Sequence, residues 1–278
     1  MNSPEHKKYL KKIKKDKIIV IILQLLIIIS FLVIWEILSN KNIINSFLFS
    51  SPSKVVKTIY SLICRKELFS HIGITLFEVV ISFTITSLVS FFIAILMWRN
   101  KRFSKVIEPY LTILNALPKV ALGPLIIIWI GAGTGSIIFM ALMISLFVSI
   151  INIYNGFNST NKDYITLLKS LKANKRTIFL KVVLPSNKNN LINTMKVNVS
   201  MTLIGVIMGE LLVSKKGLGY LIMYGSQVFN INLVITSIFI LGIIAFIMYE
   251  IIVKIEKKKS NQLWLLFLYF KKSFFNFL

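Results

Sequence analysis

Among the ionisable side chains inside the long apolar stretches of this 278-residue chain are Glu78, Lys119 and Glu210. Charged groups within a bilayer are expensive, so they mark pairs, pathways or span ends. Lys119 stands about 13 residues into the apolar stretch 106–130, which at roughly 1.5 Å per residue places its ammonium about 20 Å along a helix, near the bilayer centre. There a cation facing lipid costs about 2.5–3.5 kcal/mol. Three arrangements answer that cost: snorkelling to the inner surface, pairing with a buried carboxyl group, or lining a wet path that attracts an anion. Pro118 and Pro124 flank Lys119 and lack backbone donors, which leaves carbonyls free to line a cavity. Glu78 and Glu210 fall toward the outer ends of their stretches, where a solvated carboxylate is natural, and Asn115, Asn198, Ser200 and Thr202 complete the polar set. For the hydroxyls, a hydrogen bond between packed helices is the ordinary role. The chemistry on offer is selection and gating. Bond-making constellations such as HExxH, GxSxG, paired carboxylates or a Cys/His cluster do not occur, and Cys64, His6 and His71 are scattered, which argues against a metal site.

A second feature is the basic, acid-free stretch "SLKANKRTIFLKVVLPSNKNN" (170–190) in an otherwise oily chain. Just ahead of it Tyr164, Leu167, Leu168 and Leu171 recur at i, i+3, i+4 and i+7, one apolar face of a helix, and Ile178, Val182 and Val183 form a second short stripe. Pro185 cannot continue a helix interior comfortably and marks a break. The pattern predicts a short amphipathic helix whose apolar face either fills a partner's groove or packs under the bundle and on lipid headgroups.

The elements that must carry these residues are membrane spans. Hydrophobic residues make up 56% of the chain, charged ones 15%, and the mean hydropathy is +0.78, far outside the soluble range. A net charge of +23 would suit nucleic acid on a soluble fold, but here the basic residues fall between apolar blocks and no basic-aromatic motif occurs, so nucleic acid is excluded as a partner. About 20 apolar residues cross a hydrocarbon core, which predicts an all-α integral membrane protein with six transmembrane helices near 18–39, 71–98, 106–130, 136–158, 190–212 and 232–253. The first follows a basic segment, 1–17, but is too long for a signal peptide and lacks a small-residue cleavage site; it reads as a retained helix. Segments 1–17, 99–105, 159–189 and 254–259 hold seven, four, seven and four Lys/Arg, against five, none and two in 40–70, 131–135 and 213–231. Basic loops stay inside, so both termini and the 159–189 loop are expected in the cytoplasm. The tail 254–278 is basic and amphipathic; its segment 261–278 is too short to span and is expected either to lie on the inner membrane surface or to form a disordered or aggregated tail.

With the loop placed in the cytoplasm, the sequence resembles the permease subunits of binding-protein-dependent ABC importers. Their coupling loop reads Glu-Ala-Ala, three residues, Gly, nine residues, Ile-x-Leu-Pro. Here the same spacing is held by Thr166-Leu167-Leu168, Lys169-Ser170-Leu171, Lys172, then Ala173 onward to Val182-Val183-Leu184-Pro185. The Glu is Thr166 and the Gly is Lys172, a costlier residue in a turn. Similarity extends through "SSPSKVVKTIYSL" (50–62), "EPYLTILNALPKVALGPLIIIWIGAG" (108–133), "NIYNGF" (152–157) and "GELLVSKKGLGYLIMYGSQVF" (209–229). These blocks look most like the aliphatic sulfonate, taurine and nitrate branch, some members of which carry thiamine precursors or other small nutrients. The resemblance implies a coupling helix between helices 4 and 5 (Thr166, Leu167, Leu168, Ser170, Leu171, Lys172, Ala173, Val182, Leu184, Pro185) and a translocation path for which Asn115, Pro118, Lys119, Asn198, Thr202 and Glu210 are candidates. It implies as partners ABC ATPase subunits, an extracytoplasmic substrate-binding protein, a second permease copy and membrane lipids. This chain is expected to bind no cofactor and to be no enzyme itself: Mg-ATP belongs to the ATPase, since GxxxxGK[ST] is absent and "GAGTGS" (131–136) lacks the phosphate-binding Lys. Those glycines suit a tight outer turn. The rival classes are an ion-driven carrier, which would want internal repeats and paired midplane acids, and a membrane-embedded enzyme.

Overall fold

A computed structural model describes residues 4–258, and the described residues form helices joined by short turns. Helix α1 (Pro4–Asn40) continues the basic N-terminal segment straight into the first apolar stretch. Its apolar portion, Ile18–Asn40, is exposed over most of its length, with Ser39 near its end buried. The helix is held at its C-terminal end, where Trp35 Nε1 donates to the Phe49 carbonyl (3.2 Å) and Ser39 Oγ to the Ser50 carbonyl (3.0 Å). Two short helices follow, α2 (Ser46–Phe49) and α3 (Pro52–Cys64), and Lys66 in the left-handed region (φ 58°) turns the chain sharply into the long helix α4 (Glu67–Arg99).

The stretch expected to be a third continuous span, 106–130, is broken. Helix α5 (Lys101–Ala116) stops, a single 3₁₀ turn covers Lys119–Leu122, and α6 (Gly123–Ile130) leaves at 86° to α5. The physical cause is Pro118. A residue before proline is pushed out of the helical region, and Leu117 is extended at φ −64°, ψ 142°. The glycine turn expected after it is present, with Gly131 at φ +91°, and leads into α7 (Thr134–Asn158). The basic loop contains α8 (Lys162–Ser170), α9 (Lys175–Ile178), one π turn (Phe179–Val183) and α10 (Leu184–Ser186). Three helices complete the fold: α11 (Lys188–Val213), α12 (Leu218–Gln227) and α13 (Ile231–Lys258). Five helices (α1 from Ile18, α4, α7, α11 and α13 to Lys254) are long and apolar enough to cross a membrane, and the bent pair makes a sixth if it is one crossing. The tail beyond Lys258 lies outside the described residues.

The core is the bundle of α4, α7 and α11. Its two ends are capped by separate apolar clusters. One joins Leu62 of α3, Leu68 at the start of α4, Leu218 and Leu221 of α12 and Leu233 of α13. The other joins Ala94 near the end of α4, Phe157, Ile178, Phe179, Val183 and Leu191. Leu68 and Ala94 lie near opposite ends of one long helix, so α3 and α12 sit at the end of the bundle opposite the basic loop. Without a hydrophobic force between helices in lipid, close approach of small residues supplies the contact. Gly205 and Gly209 of α11 do this against α7: a Cβ on Gly205 would stand 2.5 Å from the Ala141 Cα, and one on Gly209 2.9 Å from the Ile137 Cα.

Gly205→Ala is therefore expected to wedge α11 from α7 and cost about 1–3 kcal/mol, as overpacking does. It should lower the thermal midpoint of the detergent-solubilised protein, whereas Gly242→Ala on α13, with nothing within 4 Å of its added Cβ, should leave the midpoint unchanged or raised.

Candidate functional site

The first site lies at the α3/α12 end. Helix α12 has no capping side chain of its own, yet its first amides need acceptors. Three side chains from two neighbouring helices supply them. Gly217 N–H donates to His71 Nδ1 (3.0 Å), Leu218 N–H to Thr75 Oγ1 (2.9 Å) and Gly219 N–H to Glu210 Oε2 (2.6 Å). Thr75 passes its own hydroxyl hydrogen to Glu210 Oε1 (2.6 Å). A Cβ on Gly217 would stand 2.4 Å from the Glu210 carboxyl carbon, and Gly217 adopts φ +113°, so glycine is required on both counts. Glu78 lies beside Glu210 and Thr134. Its Oε2 is buried and has no hydrogen-bond partner among the described residues. The expectation of solvated carboxylates is thus overturned: Glu78 and Glu210 are each 1% exposed. The reason is that α12 folds back over the ends of α4 and α11 and covers them.

Below this knot, α4 carries a buried polar seam of Thr75, Glu78, Ser82, Thr86 and Ser90, on the i, i+3, i+7, i+11, i+15 positions of one face. Thr86 Oγ1 bonds Ser145 Oγ of α7 (2.9 Å), and Ser87 Oγ accepts from Asn198 Nδ2 of α11 (2.8 Å). Thr202 Oγ1 donates to Asn198 Oδ1 (3.3 Å). Asn198, Thr202 and Glu210 are at most 2% exposed, and each serves helix packing or capping within this chain. They are not gathered with Asn115, Pro118 and Lys119, which lie at the broken span. Ser200 is exposed.

Lys119 occupies the break itself. The depth expected from a straight helix does not apply, because α5 has ended three residues earlier, at Ala116. Its ammonium donates to Asn115 Oδ1 (2.9 Å) and stands 5.9 Å from the Phe147 ring centroid, within cation–π range. Asn115 and Pro118 are exposed and Lys119 is half-buried. No carboxyl group pairs with it among the described residues, so of the three arrangements considered for it the buried ion pair is absent.

In the basic loop the chain divides the expected docking face in two. Tyr164, Leu167 and Leu171 are 58%, 59% and 69% exposed. Leu168, by contrast, packs with Ile165 and Ala173 against the Phe157–Phe179–Val183 cluster, and so leaves the exposed stripe; it lies a further 100° around α8 and points back at the bundle. Lys172 takes φ +57°, the left-handed conformation for which glycine is suited, and the turn is closed by Ala173 N–H donating to the Leu168 carbonyl (2.9 Å). Thr166, Ser170 and Lys172 are exposed, Val182, Leu184 and Pro185 half-buried. Sequence reasoning missed the residue that ties the loop shut. Asn187, 4% exposed, donates from Nδ2 to Thr160 Oγ1 (2.7 Å) and to the Val183 carbonyl (2.8 Å), joining the loop's entry to its exit. It also missed His71 and Thr75. The signal for the latter was the i, i+4, i+7 spacing of His71, Thr75 and Glu78.

The model of the binding-protein-dependent transport system inner membrane component matches residues 86–260. The chain belongs to that family. It is 28% identical over 225 residues to the formylaminopyrimidine transport permease protein ThiX of Halalkalibacterium halodurans, covering 81% of this chain and 89% of that relative. It is 25% identical over 225 residues to the aliphatic sulfonates transport permease protein SsuC of Bacillus subtilis, covering 81% and 82%. Among solved structures, the MetNI methionine ABC transporter in an inward-facing form superposes with a TM-score of 0.62 at 16% identity, covering 70% of this chain and 97% of that one; at that identity the likeness is one of fold. This permease is thus a multi-pass inner-membrane component of an ABC transporter.

Two outcomes are expected of the permease. Glu210→Ala strands the Gly219 amide and the Thr75 hydroxyl, at about 1–3 kcal/mol for each buried unsatisfied group, and should free α12 for fast amide exchange; Glu210→Gln, which keeps an acceptor, should fall between it and the parent. In the loop, Lys172→Gly and Lys172→Val should move the exchange protection of the Ala173 amide in opposite directions, with the β-branched variant the more open by about 1–2 kcal/mol.

Proposed function

We propose that this permease is the membrane subunit of an ABC importer for a small solute, with both termini and the 159–189 loop in the cytoplasm. The observation that carries the reading is the stripe Tyr164, Leu167 and Leu171, an apolar face left open on a loop whose other side is locked to the bundle by Leu168 and Asn187. A groove on a separate ATPase subunit is its partner, in the helix-in-groove mode. ATP and Mg²⁺ act there, and this chain contributes no ATPase site. Closure of an ATPase pair moves α8, and the loop passes the movement to α7 and α11, which biases a two-state gate. Two copies of the permease, two ATPase subunits and an external binding protein make up the working assembly.

The path runs past the break at Asn115, Pro118 and Lys119. A cation held by a neutral amide keeps its charge available to a passing ligand, which favours a sulfonate-, taurine- or nitrate-like anion. The likeness to ThiX favours a second reading, a thiamine-precursor pyrimidine. Lys119→Met keeps the length and removes the charge. For the anion it should lower uptake at least tenfold with the ATPase still bound; for a neutral pyrimidine it should leave uptake unchanged, and that result would remove the anion role.

Coupling is tested separately. Leu167→Asp buries a carboxylate in the ATPase groove, and is expected to weaken co-purification with the ATPase by at least about 30-fold, the loss of a 2 kcal/mol anchor, while leaving the melting of the permease unchanged. Leu168→Asp should instead lower the melting point. Uptake by the purified chain driven by a proton or sodium gradient alone, without ATPase, would sink the importer reading and restore the ion-driven carrier.

A further inference from the structure

Helix α3 is amphipathic on two sides. Val55 and Leu62 are buried, and Leu62 belongs to the cluster shared with Leu218 and Leu221 of α12. On its free side Val56, Tyr60 and Ile63 recur at i, i+4 and i+7 and are 64%, 70% and 40% exposed. Both ends of α3 are tied to span ends. At its start, the Glu36 carboxyl group near the end of α1 accepts from the Ser53 amide (3.0 Å) and from the Ser53 hydroxyl. At its finish, only Arg65 and the left-handed Lys66 separate it from α4. A helix of 13 residues, about 20 Å long at 1.5 Å per residue, that is fixed at each end to a spanning helix has to run along the membrane boundary. It cannot project from it.

Charge identifies what covers the free side. Lys57, Arg65 and Lys66 are exposed around the apolar stripe, and Glu67 is the sole acid between residues 41 and 70. Lys54 is otherwise engaged, with its ammonium on the Ser46 carbonyl and hydroxyl. An in-plane helix with an apolar face and a basic margin sinks into the headgroup–acyl boundary, and each basic residue adds attraction to anionic lipid. We propose that α3 is a lipid-docking helix: Val56, Tyr60 and Ile63 insert into the leaflet opposite the basic loop, and Lys57, Arg65 and Lys66 bind the headgroups of anionic phospholipids there. Because Leu62 shares its cluster with Leu218 and Leu221, this contact bears directly on the helix that Glu210 caps.

The native chain has one cysteine, Cys64. In a Cys64→Ser background, a nitroxide on Tyr60→Cys reports the surroundings of α3 in the full-length protein reconstituted into phosphatidylcholine nanodiscs, with or without phosphatidylglycerol. The expected result is collision with oxygen several-fold above collision with a water-soluble nickel chelate, rising further with phosphatidylglycerol. The rise should vanish in the Lys57→Gln/Arg65→Gln/Lys66→Gln variant. Nickel access dominating in both lipids overturns the proposal, because the face would then be solvated. Shielding from both reagents also overturns it, because protein would then cover the face. An oxygen-rich site indifferent to phosphatidylglycerol removes the headgroup part of the claim.

Discussion

A carboxyl group sealed from solvent holds one end of this permease together. Glu210 receives the Gly219 amide and the Thr75 hydroxyl, and Thr75 in turn receives the Leu218 amide. One side chain of α11 thus binds α4 and α12 at once. Where water is scarce, an unpaired amide costs several kcal/mol, so a helix can start inside a membrane protein only if the protein supplies its acceptors. That requirement explains the glycines at 217 and 219 as well, since any side chain there would occupy the space of the carboxyl group. Glu36 repeats the device at α3, accepting from the second residue of that helix. Both short helices at this end therefore begin on a carboxyl group borrowed from a span.

The opposite end is built differently. Its anchors are aromatic and amide groups: Phe179 packs between Phe157 and Trp98, with centroids at 5.2 and 5.1 Å, and Asn187 closes the loop. At the end of the π turn Phe179–Val183, the Val183 carbonyl accepts from both the side-chain and the main-chain amide of Asn187. The clamp ties the end of α7 to the start of α11, because Thr160 follows the one and Asn187 precedes the other. The left-handed Lys172 fixes where α8 ends, and so fixes the direction in which Tyr164 and Leu167 face.

Much of this was legible in the sequence because it rests on local patterns. Apolar length marked α4, α7, α11 and α13, and the motif spacing placed Lys172 in the turn. The exposed apolar stripe of α8 was read one residue too wide, since period alone does not tell the side of α8 that faces outward from the side that faces Phe157. The break after Ala116 was hidden because hydropathy sums residues regardless of direction; Pro118 and Pro124 carried the warning, and the extended Leu117 is its consequence. Glu78 and Glu210 were misread for a different reason. Their distance from the span ends is a local property, whereas their burial depends on α12 returning across α4, a contact between residues 143 or more apart.

These two ends are joined by the seam on α4. Thr86 with Ser145 and Ser87 with Asn198 stitch α4 to α7 and α11 through the apolar interior, where van der Waals contact alone would let helices slide. Hydrogen bonds fix register in a way that methyl groups do not, and Gly205 and Gly209 bring α11 near enough to α7 for that register to matter. Helices α4, α7 and α11 consequently behave as one block. Helix α13 packs on it through Leu241, Ala245 and Met248, while α1 is attached by its last turn and the bent α5–α6 pair carries Lys119. The proline break leaves Trp129 and Ile128 of α6 more than 70% exposed, and it sets Lys119 at the edge of that block, 5.9 Å from the Phe147 ring of α7.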